Sequence, residues 1–210
     1  MNQLFLSLCL TLVTIFTFSQ NKLTKEKIAS INNQKDIQSL TVLAQEFDKI
    51  GDQQKTDWLP YYYAALCILK EGKMLYSQEK TDLLDPIAEQ ADTYIAKAEK
   101  LSPDNAELFI LKKMASRYRM LVSPMTRYLY ESSIAREALT KAKELDPNNP
   151  RVTLLVAEDV FYTPVHFGGD PEKGKELFKK AIAQFDSYQT KGELYPKWGK
   201  EEAESILKSN

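Results

Sequence analysis

Residues 91–105 read ADTYIAKAEKLSPDN, and residues 135–149 read AREALTKAKELDPNN. One helix and its exit turn are spelled twice, 44 positions apart. Ala91, Ile95, Ala98 and Pro103 match Ala135, Leu139, Ala142 and Pro147, at identical gaps of four, three and five. A third, degenerate copy begins 39 positions later with Gly174, Phe178 and Ala181, and has Asp186 in place of proline. Gaps of four and three put these side chains on one helical stripe. Small residues on the stripe let a neighbouring helix approach, and the larger one between them fills the gap. Proline, lacking a donor, then stops the helix.

A single such helix cannot bury its stripe, so each copy needs a partner and neighbours. The partners lie upstream, in WLPYYYAALCILKEG (58–72), AELFILKKMASRYRML (106–121) and RVTLLVAEDVFY (151–162). Each carries apolar residues at helical spacing: Tyr62, Ala65, Leu66 and Leu69 in the first, Leu108, Leu111, Ala115 and Tyr118 in the second, Val152, Leu155, Val156 and Val160 in the third. No strand pair with a hairpin turn is legible. The pattern predicts an all-α helical-repeat solenoid of antiparallel helix pairs. Its expected division is an N-terminal helical segment over 20–57, three helix pairs over 58–186 and a C-terminal capping helix within 187–210. Terminal caps with a polar outer face keep such arrays soluble.

The four offsets resemble the second helix of the tetratricopeptide repeat. Both offsets, 44 and 39, exceed that family's period of about 34 residues, so the connections within pairs are expected to be longer. Three further stretches, WLPYYYAA (58–65), DPNNPR (146–151) and TPVHFGGDPEKGKELFKKA (163–181), resemble a group of exported bacterial tetratricopeptide-like proteins with a Pro-x-x-x-Gly-Gly loop. That resemblance implies fold and compartment, not chemistry. The same loop is more loosely similar to the helical-repeat component of some periplasmic solute transporters.

The beginning of the chain fits export. MNQLFLSLCLTLVTIFTFSQ contains no charged side chain, and its apolar run from Leu4 to Phe18 is shorter than the ~20 residues of a membrane span. Residues 1–19 read as a secretory signal, with Ser19 as the small residue at the cleavage site. The expected compartment is the periplasm of a Gram-negative bacterium, with no stable membrane insertion once the signal is removed. Cys67, in AALCIL, is then the one remaining cysteine, and it reads as a small buried hydrophobe.

With 28 basic and 29 acidic residues, the chain lacks the basic excess of a nucleic-acid binder. A single histidine, His166, excludes a two-histidine metal site and weakens Ser/His or Cys/His nucleophile schemes. No phosphate-binding glycine loop is present. The reading is therefore non-enzymatic, with no cofactor.

Two features could contact a partner. In PVHFGGDP (164–171), Pro164 closes a helix, Gly168-Gly169 turns the chain, Asp170 caps the next helix and Pro171 starts it. His166 has no such structural task. All five arginines, Arg117, Arg119, Arg127, Arg136 and Arg151, fall within 35 residues, whereas the 23 lysines are spread along the chain. Arginine presents a planar fork to carboxylates. The candidate groove is Arg117, Tyr118, Arg119, Arg127, Tyr128 and His166, although Arg117 and Arg119, two apart, cannot share a helical face. The internal alternative ties the arginines to Glu107, Glu131 or Glu137. The first expectation is a scaffold that binds an unidentified protein or peptide. The second is a ligand-binding accessory of a periplasmic solute transporter, which an enclosed pocket lined by tyrosine and arginine would favour.

Overall fold

The computed structural model describes residues 23–209, and the expected secretory segment 1–19 lies outside them. The protein is all-α. A first helix, α1, covers 23–30. It is followed by α2 (Ile37–Gln54), α3 (Leu59–Ser77), α4 (Leu84–Leu101), α5 (Ala106–Val122), α6 (Pro124–Leu145), α7 (Pro150–Tyr162), α8 (Pro171–Ser187) and α9 (Lys200–Ser209). Helices α3 and α4, α5 and α6, and α7 and α8 pack as adjoining pairs, with α2 against α3 and α4 against α5.

The repeated turn explains the punctuation. Helices α4 and α6 end at Leu101 and Leu145, two residues before Pro103 and Pro147. Asn105 and Asn149 then cap the next helices, their side chains accepting from the amides of Glu107 at 3.0 Å and Arg151 at 3.1 Å. Each cap satisfies a donor that the first helical turn leaves without a partner. Of the repeated stripe, Ala91, Ile95, Ala98, Leu139, Ala142, Gly174, Phe178 and Ala181 are buried, while Ala135 is half-buried. At Gly174 the close approach is literal, because an added Cβ would lie 2.6 Å from Phe161 Cβ. Cys67 is fully buried, and burial pushes its thiol pKa upward, in keeping with a packing role.

The ladder is uneven at one step. Helix α6 barely touches α7. The contact that exists lies toward the C-terminal half of α6, where Leu139 and Ala142 cluster with Ala106 and Ile110 of α5 and Val152 and Leu155 of α7. The first turns of α6 diverge, which accounts for the partial exposure of Ala135.

The segment expected to form a C-terminal cap divides in two. Residues 188–199 carry no helix and run as a strap across the N-terminal ends of α3, α5 and α7, before α9 packs on α8. Tyr63 donates to the Leu194 carbonyl at 2.7 Å, Tyr188 to Asp146 at 2.6 Å, and Trp198 Nε1 to the Tyr62 hydroxyl at 2.7 Å. The Trp198 ring packs against all three apolar clusters of the core. Glu202 of α9 pairs with Lys70 of α3 at 3.2 Å, so the end of the chain is fastened to its first repeat.

Beneath the strap lies a buried polar knot. Glu107, with 0% exposure, accepts from Arg151 Nη2 at 2.6 Å and Nε at 2.9 Å, from Asn149 at 2.6 Å and from Tyr62 at 3.2 Å. A charge pair taken out of water is tolerated only when its remaining hydrogen bonds are satisfied, as they are here.

Candidate ligand cavity

The divergence of α6 from α7 opens a cavity of about 450 Å³. Its floor is the end of α5, with Arg117, Met120 and Leu121. One wall is the start of α6, with Pro124, Met125, Tyr128 and Leu129. The other is the end of α7, with Glu158, Asp159 and Tyr162, and Tyr76 of α3 closes the back. Ser123 alone separates α5 from α6, and Pro124 at the first helical position makes that sharp reversal.

The last wall is the Gly-Gly loop, which contributes Thr163, Pro164 and Phe167. Gly168 sits at φ 94°, a left-handed conformation that suits glycine, and a Cβ on Gly169 would fall 1.7 Å from the Thr163 carbonyl oxygen. Asp170 accepts from the Lys173 amide at 3.0 Å and caps α8. The loop is held in shape from both ends and presents Phe167 to the cavity.

Apolar exposure concentrates here. Met125 is 91% and Leu129 83% exposed, and Tyr76, Tyr128, Tyr162 and Phe167 also line the cavity while exposed. A cluster of exposed apolar side chains around a concavity marks a binding site rather than ordinary surface.

The charged groups of the wall are matched in pairs. Arg117 Nη1 donates to Glu158 at 2.8 Å, and Lys113 Nζ donates to Asp159 at 2.7 Å. Burial lowers the Lys113 pKa, opposed by the Asp159 charge. For Arg117 burial acts downward too, but Glu158 and Asp159 outweigh it and the pKa is raised. Burial, then the Glu158 charge, raises Tyr162. Among the described residues no group of three or more His, Cys, Asp or Glu could hold a metal ion, and no helix is long and apolar enough to cross a membrane.

The candidate groove residues disperse. Arg117 and Tyr128 reach the cavity. Tyr118 is buried and donates to the Leu69 carbonyl at 2.7 Å. Arg119 turns away to pair with Asp92 of α4, while Arg127 pairs with Asp85 at 2.6 Å and donates to the Arg119 carbonyl at 3.1 Å. His166 is exposed on a 3₁₀ turn, its ring 4.2 Å from that of Phe167. Of the acidic partners anticipated for the arginines, Glu107 takes Arg151, whereas Glu131 accepts from Ser116 at 2.8 Å. Sequence reasoning missed Tyr76, Met120, Met125, Leu129 and Glu158. A signal for two of them was present: Met125 and Leu129, four apart, form an apolar pair off the buried stripe of α6.

Fold and site together define an all-α helical-repeat protein with an apolar, tyrosine-rimmed cavity. No family profile matches the chain, and no curated protein matches it in sequence. Among solved structures it is similar to the HusA haemophore from Porphyromonas gingivalis, with 27% identity over 89% of this chain and 90% of that one, at a TM-score of 0.76.

Proposed function

We propose that this chain is an exported, non-enzymatic binding protein for a haem-type ligand, held in the cavity between α5, α6 and α7. The observation that carries the reading is the clustering of exposed apolar and aromatic side chains around a cavity of about 450 Å³, in a fold shared with a haemophore. That volume falls within the range of small-molecule sites, roughly 300–1,000 Å³. Thioether, aliphatic and phenol side chains suit the faces of a flat macrocycle, and the internally matched charges do not oppose an apolar occupant. The uncharged apolar run from Leu4 to Phe18 supports export to the periplasm or beyond.

The ligand-carrying role is favoured over a peptide scaffold by the strap. Residues 188–199 lie across the first helices of the pairs, where an extended peptide would be expected to bind in a repeat array, and Tyr62, Tyr63 and Arg151 are already committed to it. The test is titration of haemin into the mature chain, followed in the Soret absorbance. Saturable binding is expected, and Met120→Trp, which fills the cavity floor, should weaken it about tenfold or more, the scale of a lost hot-spot contact. Absence of saturable binding by the wild type would sink the proposal.

A further inference from the structure

Hydrogen bonding separates the tyrosines of the cavity from five of the packed interior, while Tyr94, Tyr130 and Tyr195, outside the cavity, also donate to no described residue. Tyr61, Tyr62, Tyr63, Tyr118 and Tyr188 each hydrogen-bond to a named protein oxygen. Tyr76, Tyr128 and Tyr162, which line the cavity, donate to no described residue. The guanidinium among them is only partly committed. Arg117 Nη1 is bound to Glu158, but Nε and Nη2 make no hydrogen bond to any described residue. Arg151, by contrast, places both Nε and Nη2 on Glu107.

We infer that Arg117 is the anion-binding point of the cavity, and that the ligand carries a carboxylate beside its apolar body. This rests on the haem-type reading above and specifies it further. A guanidinium has two edges, and the Nε–Nη2 edge matches a carboxylate with two parallel hydrogen bonds. Glu158 occupies only the Nη1 side and orients the group. The Tyr162 ring lies 5.8 Å from the guanidinium carbon and helps to hold its plane. The side chain is 25% exposed, so its free edge is open to a ligand yet partly shielded from water, where a charge-assisted hydrogen bond gains strength. Among the described residues that line the cavity, Arg117 is the one basic side chain. Lys113, behind it, offsets Asp159, so an incoming carboxylate meets no net negative field.

Haemin and its dimethyl ester share iron and ring, so the ratio of their affinities isolates the carboxylates. The full mature chain is titrated with each, as wild type, Arg117→Gln and Arg117→Lys, with thermal unfolding recorded alongside. The wild type is expected to prefer the free acid by about tenfold, the scale of one charge-assisted hydrogen bond. Arg117→Gln should abolish that preference chiefly by weakening the acid, leaving the ester nearly unchanged. Arg117→Lys, which keeps a charge opposite Glu158, should retain part of it, and this variant carries the test if the glutamine form loses stability. Equal binding of acid and ester by the wild type overturns the inference while leaving the haem-type reading intact. So does an unchanged ratio in the variants, or an equal loss for both ligands. If the wild type binds neither compound, the haem-type reading itself falls, and this inference with it.

Discussion

On the strap side, Tyr62 and Tyr63 are buried with both hydroxyls committed, and Arg151 is closed around Glu107. On the cavity side, Tyr76, Tyr128 and Tyr162 stand half in solvent with free hydroxyls, and Arg117 keeps one edge open. The residue types are the same; the difference lies in whether a polar group has a partner inside the chain. Where every donor is satisfied, burial consolidates the fold. Where donors are left facing an apolar cavity, as at Tyr76, Tyr128 and Tyr162, they stay open to solvent, and on the reading proposed above to a ligand. A tyrosine or arginine in such an array therefore carries no functional meaning until its hydrogen bonds are known.

The contrast can be broken first in alkali, where the largest effect is expected. Burial, and then the Glu107 charge, hold the Tyr62 and Tyr63 phenols above their ordinary 10.0, and burial does the same for Tyr118. The unfolded chain releases these protons from about pH 10 while the native chain keeps them, so stability falls as pH rises. Each phenol contributes about 1.4 kcal/mol per pH unit, and three together about 4 kcal/mol. Lys113, lowered by burial, acts in the opposite sense, but only below its ordinary value of 10.5. Urea unfolding from about pH 9 to about pH 12 should show this loss, and a flat profile would mean that these three phenols are wet.

Arg151→Met comes next. It strands the Glu107 charge in the core and should cost about 3–5 kcal/mol, with much of the loss recovered by adding Glu107→Gln. Denaturant midpoints of the single and double variants decide the matter. Smaller again, Ala98→Leu and Ala142→Leu place extra methylenes at positions with 0% exposure and should each cost ~1–3 kcal/mol in thermal unfolding. The smallest effect on stability belongs to the lip of the cavity. Leu129→Ser should stay within about 0.5 kcal/mol of wild type, yet weaken haemin binding in the same Soret titration. A stability loss there comparable to that at Ala98 would mean that the lip is core, and the two sides would no longer be distinct.

The helix pairs were legible because their signals are local. The repeated small–large–small stripe and its proline stops recur at helical spacing, and a close helix contact demands such a pattern. The candidate site was less legible, since its members come from α3, α5, α6, α7 and a loop, and sequence spacing does not say which of them meet. Arginine clustering singled out Arg117, which lines the cavity, together with Arg119 and Arg127, which instead face α4, whose Asp92 and Asp85 are distant in sequence. The strap was illegible for a different reason. Residues 188–199 have no periodicity, and their placement depends on partners such as Tyr62 and Tyr63, more than 120 positions earlier.

That long return has a consequence for how the chain acquires its structure. In an open solenoid each repeat touches only its neighbours, so folding can begin anywhere and spread, and the end can fray alone. Here Trp198 and Glu202 complete the packing of α3. Repeats made early on the ribosome lack their final contacts until Trp198 and Glu202 emerge, and loop-closure entropy over so long a span slows the final step. The array is a closed circuit rather than a ladder: it should fold late, in one cooperative event, and lose its first repeat and its last together.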